Sequence, residues 1–304
     1  MNTQNWLRQH LGLKLFRHLR RLFKSLHERG VIRTTHFELD FFGNRYRGDW
    51  SNNIDNHVYF YGAYEKHILF FMRDYFQRVG EPGVFVDVGA NVGHHTLFMS
   101  QFAELVCAFE PYPLVRDKME EKIRMNLLEN VRIFPFGLGQ RDESLPFYAP
   151  RETHLGTGTF VGKACQGAET AMEFPVRNGD KVIEEGAIGG IRLIKIDVEG
   201  FEREVLRGLS NTLRIQRPLI VFEVSREVNE AFSDITELEL CFPEEYGFLM
   251  FEARRRVSGR KSRRFRGRQR LTGEYRLTPL DFGVPDEQIN VVACPAERQK
   301  LLAD

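Results

Sequence analysis

The segment Val84-Phe85-Val86-Asp87-Val88-Gly89-Ala90-Asn91-Val92-Gly93 constrains this chain more than any other. Its apolar run reads as a strand buried on both faces, and it passes directly into a Gly-x-x-x-Gly turn that opens a helix. Glycine there lets backbone approach a ligand without a Cβ in the way, and a helix N-terminus offers unpaired N–H groups. The pattern recurs downstream, with strands over 105–109, 131–136, 193–197 and 219–224 and helices starting near Gly93, Pro113, Phe201 and Thr236. Two further strands, 248–251 and 290–293, flank an arginine-rich stretch. Strands alternating with helices imply an α/β fold with a parallel sheet and helices on its faces.

Before this repeat, residues 36–47 alternate around Gly43-Asn44 as a small hairpin, and 59–76 has the period of one helix. Glu81-Pro82-Gly83 punctuates the chain, which divides it into a helix over 1–30, an extension over 31–80 and a main domain over 81–304.

Charge is segregated. Residues 1–30 hold seven Lys and Arg against one acid, and 254–270 hold ten against none, on a body that is otherwise acidic. Over 7–26 a helical wheel puts Leu7, Leu11, Leu15, Phe16, Leu19, Leu22, Phe23 and Leu26 on one half and Lys14, Arg17, Arg20, Arg21 and Lys24 on the other. Such a helix lies on an anionic membrane surface, or packs on its own body or a partner; both readings stay open. No apolar run approaches the ~18 residues of a membrane span. The cysteines at 107, 165, 241 and 294 form no Cys-x-x-Cys, and with no other ligand set in view no metal site is expected. Their use suits a reducing, cytoplasmic compartment, at the inner face of a membrane if the helix docks there.

Glu110, followed by Pro111, stands twenty-one residues after Gly89 at the end of the next strand. An acid at that place accepts both hydroxyl hydrogens of an adenosine ribose, so loop and acid together describe a nucleoside site. A dinucleotide loop wants a second glycine where this one has Ala90 and Asn91, and Asp87 would repel a pyrophosphate. The same carboxylate suits an ammonium or sulfonium, which favours S-adenosylmethionine over NAD; capping the loop N–H groups is its alternative task.

The run from Val86 to Gly93, Phe109-Glu110-Pro111, and above all Ile194-Lys195-Ile196-Asp197-Val198-Glu199-Gly200-Phe201-Glu202 with Val205-Leu206-Arg207-Gly208 resemble the FkbM-type S-adenosylmethionine-dependent methyltransferases. The likeness begins at Gly62-Ala63-Tyr64-Glu65 and covers about 59–294. It implies a Rossmann-like seven-stranded class I methyltransferase sheet with helices on both faces, and methyl transfer to oxygen, often on a sugar or secondary-metabolite hydroxyl. The departures are His94-His95, the basic N-terminal helix and the insert 254–270.

Ligands of open parallel sheets bind at the carboxyl ends of the strands, which gathers Asp87, Glu110, Asp197 and Glu223 on one rim. The expected cofactor residues are Asp87, Gly89, Asn91, Gly93, Thr96, Glu110 and Pro111, with Thr96 toward the methionine carboxylate. The expected catalytic set is Asp197 as cofactor-amine or acceptor ligand, Glu199 as acceptor ligand or base, and Lys195 paired with a carboxylate. Asp197 and Glu199 are also placed to cap the helix at Phe201. His94 or His95 serves as a base or as a pocket wall. The loop His154-Leu155-Gly156-Thr157-Gly158-Thr159 closes over the acceptor or is a surface turn. A small-molecule or glycan acceptor is expected. Nucleic acid is disfavoured, because the N/D-P-P-Y/F signature is absent and Phe265 is the single aromatic of the basic run. A scaffold with a vestigial pocket is the non-enzyme alternative.

Overall fold

The computed structural model describes residues 3–148, 158–161, 171–225, 232, 234–252, 256–257, 260–261, 269–283 and 288–302. The N-terminal basic segment is broken rather than continuous. Helix α1 (Thr3–Phe16) carries a non-helical backbone at Gly12 (φ 64°), a 3-10 turn follows at Arg17–Leu19, and α2 (Arg20–Glu28) completes it. Glycine is the residue for which that φ carries no Cβ penalty, and the breaks turn Phe16 and Phe23 into the core.

Strands β1 (His36–Phe41) and β2 (Asn44–Asp49) form the hairpin around Gly43. The single helix expected over 59–76 is two, α3 (Asn53–Tyr61) and α4 (Lys66–Val79). Gly62 ends α3 in the left-handed region (φ 89°), and Lys66 Nζ donates to the free carbonyl of Tyr61 at 2.7 Å, so hydrophobic period alone concealed the stop.

The βα repeat then runs β3 (Val84–Val88), α5 (His94–Met99), β4 (Leu105–Phe109), α6 (Pro113–Met125) and β5 (Val131–Phe134). Three strands, β6 (Gly137–Gly139), β7 (Glu143–Tyr148) and β8 (Ala171–Asn178), make a small side sheet. After α7 (Gly179–Glu185) come β9 (Ile191–Ile196), α8 (Glu202–Gly208), α9 (Ser210–Gln216), β10 (Leu219–Ser225), α10 (Ile235–Glu239) and β11 (Tyr246–Phe251). Strands β12 (Arg256–Val257) and β13 (Arg260–Lys261) pair with each other, and β14 (Leu277–Pro279) and β15 (Gln288–Pro295) return to the main sheet.

The main sheet has eight strands in the order β14-β11-β15-β10-β9-β3-β4-β5. β10, β9, β3, β4 and β5 are parallel, and β15, β11 and β14 are antiparallel additions. All seven expected strands lie in it. The eighth, β14, is too short to show a period of two, which is why the sequence did not reveal it. Alternation sends Phe85, Val106, Leu193 and Val221 to one face and Val86, Cys107, Ile194 and Phe222 to the other. The second face is closed by α7 to α10. The first is closed by residues from the N-terminal 80, among them Phe16 stacked on Phe60 at 5.4 Å and edge-on to Tyr59. Truncating such a phenylalanine to alanine costs about 3–5 kcal/mol.

Candidate active site

The chain leaves β3 toward β4 on one side and reaches β9 on the other, and the crevice opens where this order reverses, at the carboxyl ends of these strands. The loops after β3 and β9 pass very close together. A Cβ on Gly89 (φ 78°) would stand 1.9 Å from Asp197 O, and Asp197 N–H donates to Val88 O at 3.0 Å. Gly93 (φ 76°) answers a different demand, since its Cβ would meet Met119 Cγ at 2.4 Å and hold α5 off α6. Both glycines thus serve packing that shapes the site.

Glu110 emerges from β4 into the crevice and is buried. Its Oε2 accepts the Asn91 N–H at 2.8 Å and its Oε1 the Tyr112 N–H at 2.9 Å. Asn91 is itself left-handed (φ 53°), and its Oδ1 accepts the Val92 N–H. Each carboxylate oxygen keeps a lone pair for a further donor. Burial pushes Glu110 up to about 7, against the pull of the Tyr112 and Asn91 N–H groups. Phe109, Pro111, Tyr112 and Leu138 give this side of the crevice an apolar wall.

Asp197, Glu199 and Glu223 line the opposite side. Lys195 Nζ holds Asp197 Oδ2 at 2.8 Å; burial would lower the lysine, but Asp197, Asp87 and Glu65 outweigh it and keep the ammonium charged. Glu199, left-handed at φ 50°, is pushed up to about 8 by burial and then by Asp197, Glu202 and Glu65. Glu223 reaches about 9 through burial, Asp197, Glu65 and Glu199. Glu65 is raised to about 7 by burial, opposed by Lys195. At the start of α8 the N-cap Phe201 has no side-chain cap bond, and Glu202 Oε1 accepts the N–H groups of Val198 and Gly200 at 3.2 Å, which holds the turn before the helix.

Not every expected cofactor residue reaches the crevice. Thr96 and Asp87 are buried and bonded to each other, Thr96 Oγ1 donating to Asp87 Oδ2 at 2.7 Å, and neither is among the lining residues. The Asp87 carboxyl, raised by burial and lowered by Lys195 and Thr96, bears on the site through its field. His94 and His95 line the crevice, but burial first, then Lys195, pushes His94 down to about 3 and His95 well below its ordinary value. Imidazoles of such low basicity form a wall. In the loop 154–159, residues 154–157 lie outside the described set; Gly158 and Thr159 line the crevice, and Thr159 Oγ1 donates to Glu199 O at 2.7 Å.

Sequence reasoning missed the contribution of the N-terminal 80 residues. Asn53 and Ile54 of α3 and Tyr64 after it line the crevice. The Tyr64 phenol is held well above its ordinary pKa by Glu65, then burial and the carboxylates facing it, and stays a hydrogen-bond donor. Tyr64 and Glu65 stood inside the Gly62-Ala63-Tyr64-Glu65 signal; Asn53 and Ile54 had none. Buried Lys122, over the Tyr46 ring at 4.7 Å, donates to Val92 O at 3.1 Å and ties the cofactor loop to the hairpin. Among the described residues no group of three His, Cys, Asp or Glu is disposed to hold a metal ion.

This distribution fits S-adenosylmethionine. Among the described residues the lining includes four carboxylates and no Lys or Arg, which matches a nucleoside with a cationic tail and offers a pyrophosphate no cationic side chain. A family model described as the methyltransferase FkbM domain matches residues 87–250. Among curated proteins, the hexuronic acid methyltransferase AglP of Haloferax volcanii is 30% identical over 162 residues, covering 53% of this chain and 63% of that one. Methyltransferase 1 of Beauveria bassiana is 28% identical over 144 residues, covering 41% and 58%. The chain therefore spans about three fifths of the length of these relatives. Of solved structures, a methyltransferase FkbM from Methylobacillus flagellatus aligns with TM-score 0.40 at 19% identity, over 55% of this chain and 39% of that one. A SAM-dependent methyltransferase from Agrobacterium tumefaciens aligns with TM-score 0.44 at 10% identity, over 86% and 70%. With the family model spanning more than half of its 304 residues, the chain belongs to the FkbM methyltransferase family.

Proposed function

We propose that the protein is an S-adenosylmethionine-dependent O-methyltransferase whose acceptor is a sugar hydroxyl of a glycan, glycolipid or glycosylated metabolite. The observation that carries this reading is the two-sided crevice, a buried Glu110 held by two backbone N–H groups at one end and a crowd of carboxylates at the other. In this assignment Glu110 holds the ribose, the wall of Phe109, Pro111 and Leu138 holds the base, and Asp197 receives the ammonium. S-adenosylmethionine, when bound, supplies an electrophilic methyl group. Glu199 accepts the hydrogen bond of the acceptor hydroxyl and Glu223 that of a neighbouring sugar hydroxyl, which aligns the acceptor oxygen. A cation brought beside Glu199 lowers its pKa, so the carboxylate becomes the free base in the loaded site and takes the hydroxyl proton.

A sugar acceptor is supported by the likeness to the Haloferax hexuronic acid methyltransferase and by carboxylates suited to accepting from hydroxyls. A uronate would find no Lys or Arg among the described lining residues, so a neutral sugar fits this crevice better. Thermal unfolding with S-adenosylhomocysteine and, separately, NAD tests the cofactor; saturation at 100 times Kd adds about 2.7 kcal/mol of stability. A shift with the former alone supports the reading, and a shift with NAD alone, or with neither, overturns it. Mass spectrometry after incubation with neutral and acidic sugars then tests the acceptor, methylation of the neutral set being expected.

A further inference from the structure

The two basic stretches lie at opposite ends of the sequence, yet the fold brings them to one helix. Arg8 Nε donates to Tyr59 O at 2.9 Å, and the Arg270 guanidinium stands over the Tyr61 ring at 5.8 Å. Arg270 and Arg20 both act on His57, which burial and these charges push down to about 4. His57, Tyr59 and Tyr61 all belong to α3, so the N-terminal helices and the end of the arginine-rich stretch share a surface there.

That surface is also apolar. While Phe16 and Phe23 are 0% and 3% exposed in the core, Leu11, Leu15 and Leu22 stand 38%, 60% and 51% exposed on the outward side of α1 and α2. Lys14, Arg21 and Lys24 are exposed beside them, and residues 3–27 contain no Asp or Glu. The nearest acid, Glu28, approaches Lys24 at only 3.9 Å. Exposed leucines spaced through a one-signed basic helix gain nothing in water, whereas at a bilayer they sink below the headgroups as the ammonium and guanidinium groups meet lipid phosphates.

We propose that this face, Leu11, Leu15 and Leu22 with Lys14, Arg21 and Arg270, docks on an anionic lipid surface. Lipid is favoured over nucleic acid because the exposed apolar residues are aliphatic, and single strands are gripped by aromatic platforms. Docking has a consequence for the crevice. Helix α3 has nine residues, about 13 Å of rise; Asn53 and Ile54 line the crevice at its start, and Tyr64, three residues past its Tyr61 end, lines it among the carboxylates. His57 packs on both Tyr61 and Tyr64, so the carboxylate side of the site lies just behind the docking face, a geometry suited to a sugar carried on a lipid; this last step alone rests on the methyltransfer reading.

The test is flotation of the full chain with vesicles of phosphatidylcholine plus phosphatidylglycerol against phosphatidylcholine alone. The anionic vesicles are expected to carry the protein, with binding that falls as salt rises. Lys14→Glu with Arg21→Glu is expected to weaken binding tenfold or more, Arg270→Glu about fivefold, and Leu15→Glu with Leu22→Glu to abolish it. These side chains are exposed, so the melting point and S-adenosylhomocysteine affinity of each variant should match the parent, which separates loss of docking from loss of the cofactor site. The proposal is overturned if anionic vesicles leave the protein behind, if the leucine variant still floats, or if single-stranded RNA binds while vesicles do not.

Discussion

The two sides of the crevice hold the same functional group in opposite ways. On the β4 side Glu110 is settled before any ligand arrives, each oxygen occupied by a backbone N–H of a loop that its own strand positions. On the β9 and β10 side Asp197, Glu199 and Glu65 face the ammonium of Lys195, which is bonded to Asp197, while Glu223 stands among the other carboxylates. Hydrogen bonds preorganise the first side in shape, whereas like charges in a desolvated setting leave the second short of positive charge. Under the proposed function a cationic ligand completes the second side and merely fits the first, so recognition falls to one and chemistry to the other.

The sharpest way to break this contrast is Glu199→Gln. Turnover is expected to fall by about 10²–10⁴ while S-adenosylhomocysteine affinity in calorimetry stays within a few-fold. Normal turnover would remove Glu199 from proton transfer. Glu110→Ala should do the reverse, weakening S-adenosylhomocysteine by about 100-fold, since it deletes charged hydrogen bonds worth about 1.5–3 kcal/mol each. If affinity held while kcat fell, the two sides would have been assigned the wrong way round. Tyr64→Phe lies between them, and about a tenfold rise in acceptor KM with cofactor affinity unchanged is expected from one lost hydrogen bond.

The smallest effect is on stability against pH. Glu110, Glu199, Glu223, Glu65 and Glu202 all have folded pKa values of about 7 to 9, above the 4.5 of a free glutamate. Between those values the folded state binds more protons than the unfolded one, so stability is full below about pH 4.5 for these groups and is lost as pH rises through 7 to 9. Melting of the ligand-free protein should therefore decline across this range, and saturating S-adenosylmethionine should flatten the decline by lowering the same pKa values. An unchanged slope with ligand would mean that the cation does not sit among these carboxylates.

Much of the sheet was readable in advance because its strands are fully buried and so appear as unbroken apolar runs closed by glycine. What was concealed followed from local weakness of signal. The break at Gly62 sits inside a long apolar period, β14 is three residues, and Gly12 divides what a wheel draws as one helix. In the site, Glu110 and Asp197 were legible because each directly follows a strand. Thr96 and Asp87 were legible as neighbours of the loop, yet the Thr96 hydroxyl is spent on Asp87 Oδ2 beneath it. Glu202 lay in plain view within the Asp197–Glu202 motif, but that it folds the turn by accepting from Val198 and Gly200 depends on backbone geometry.

The sequence by itself determined the parallel sheet, the glycine turn after β3 and the acids at the strand ends, because burial and turn geometry act on neighbouring residues and leave a local pattern. Only the tertiary structure decided that Asn53, Ile54 and Tyr64 complete the crevice, that the carboxylates raise one another's pKa values, and that Arg8, Arg20 and Arg270 gather at α3. Those outcomes depend on distances between residues far apart in the chain, and electrostatics and packing are functions of distance in space, on which a linear pattern carries no information.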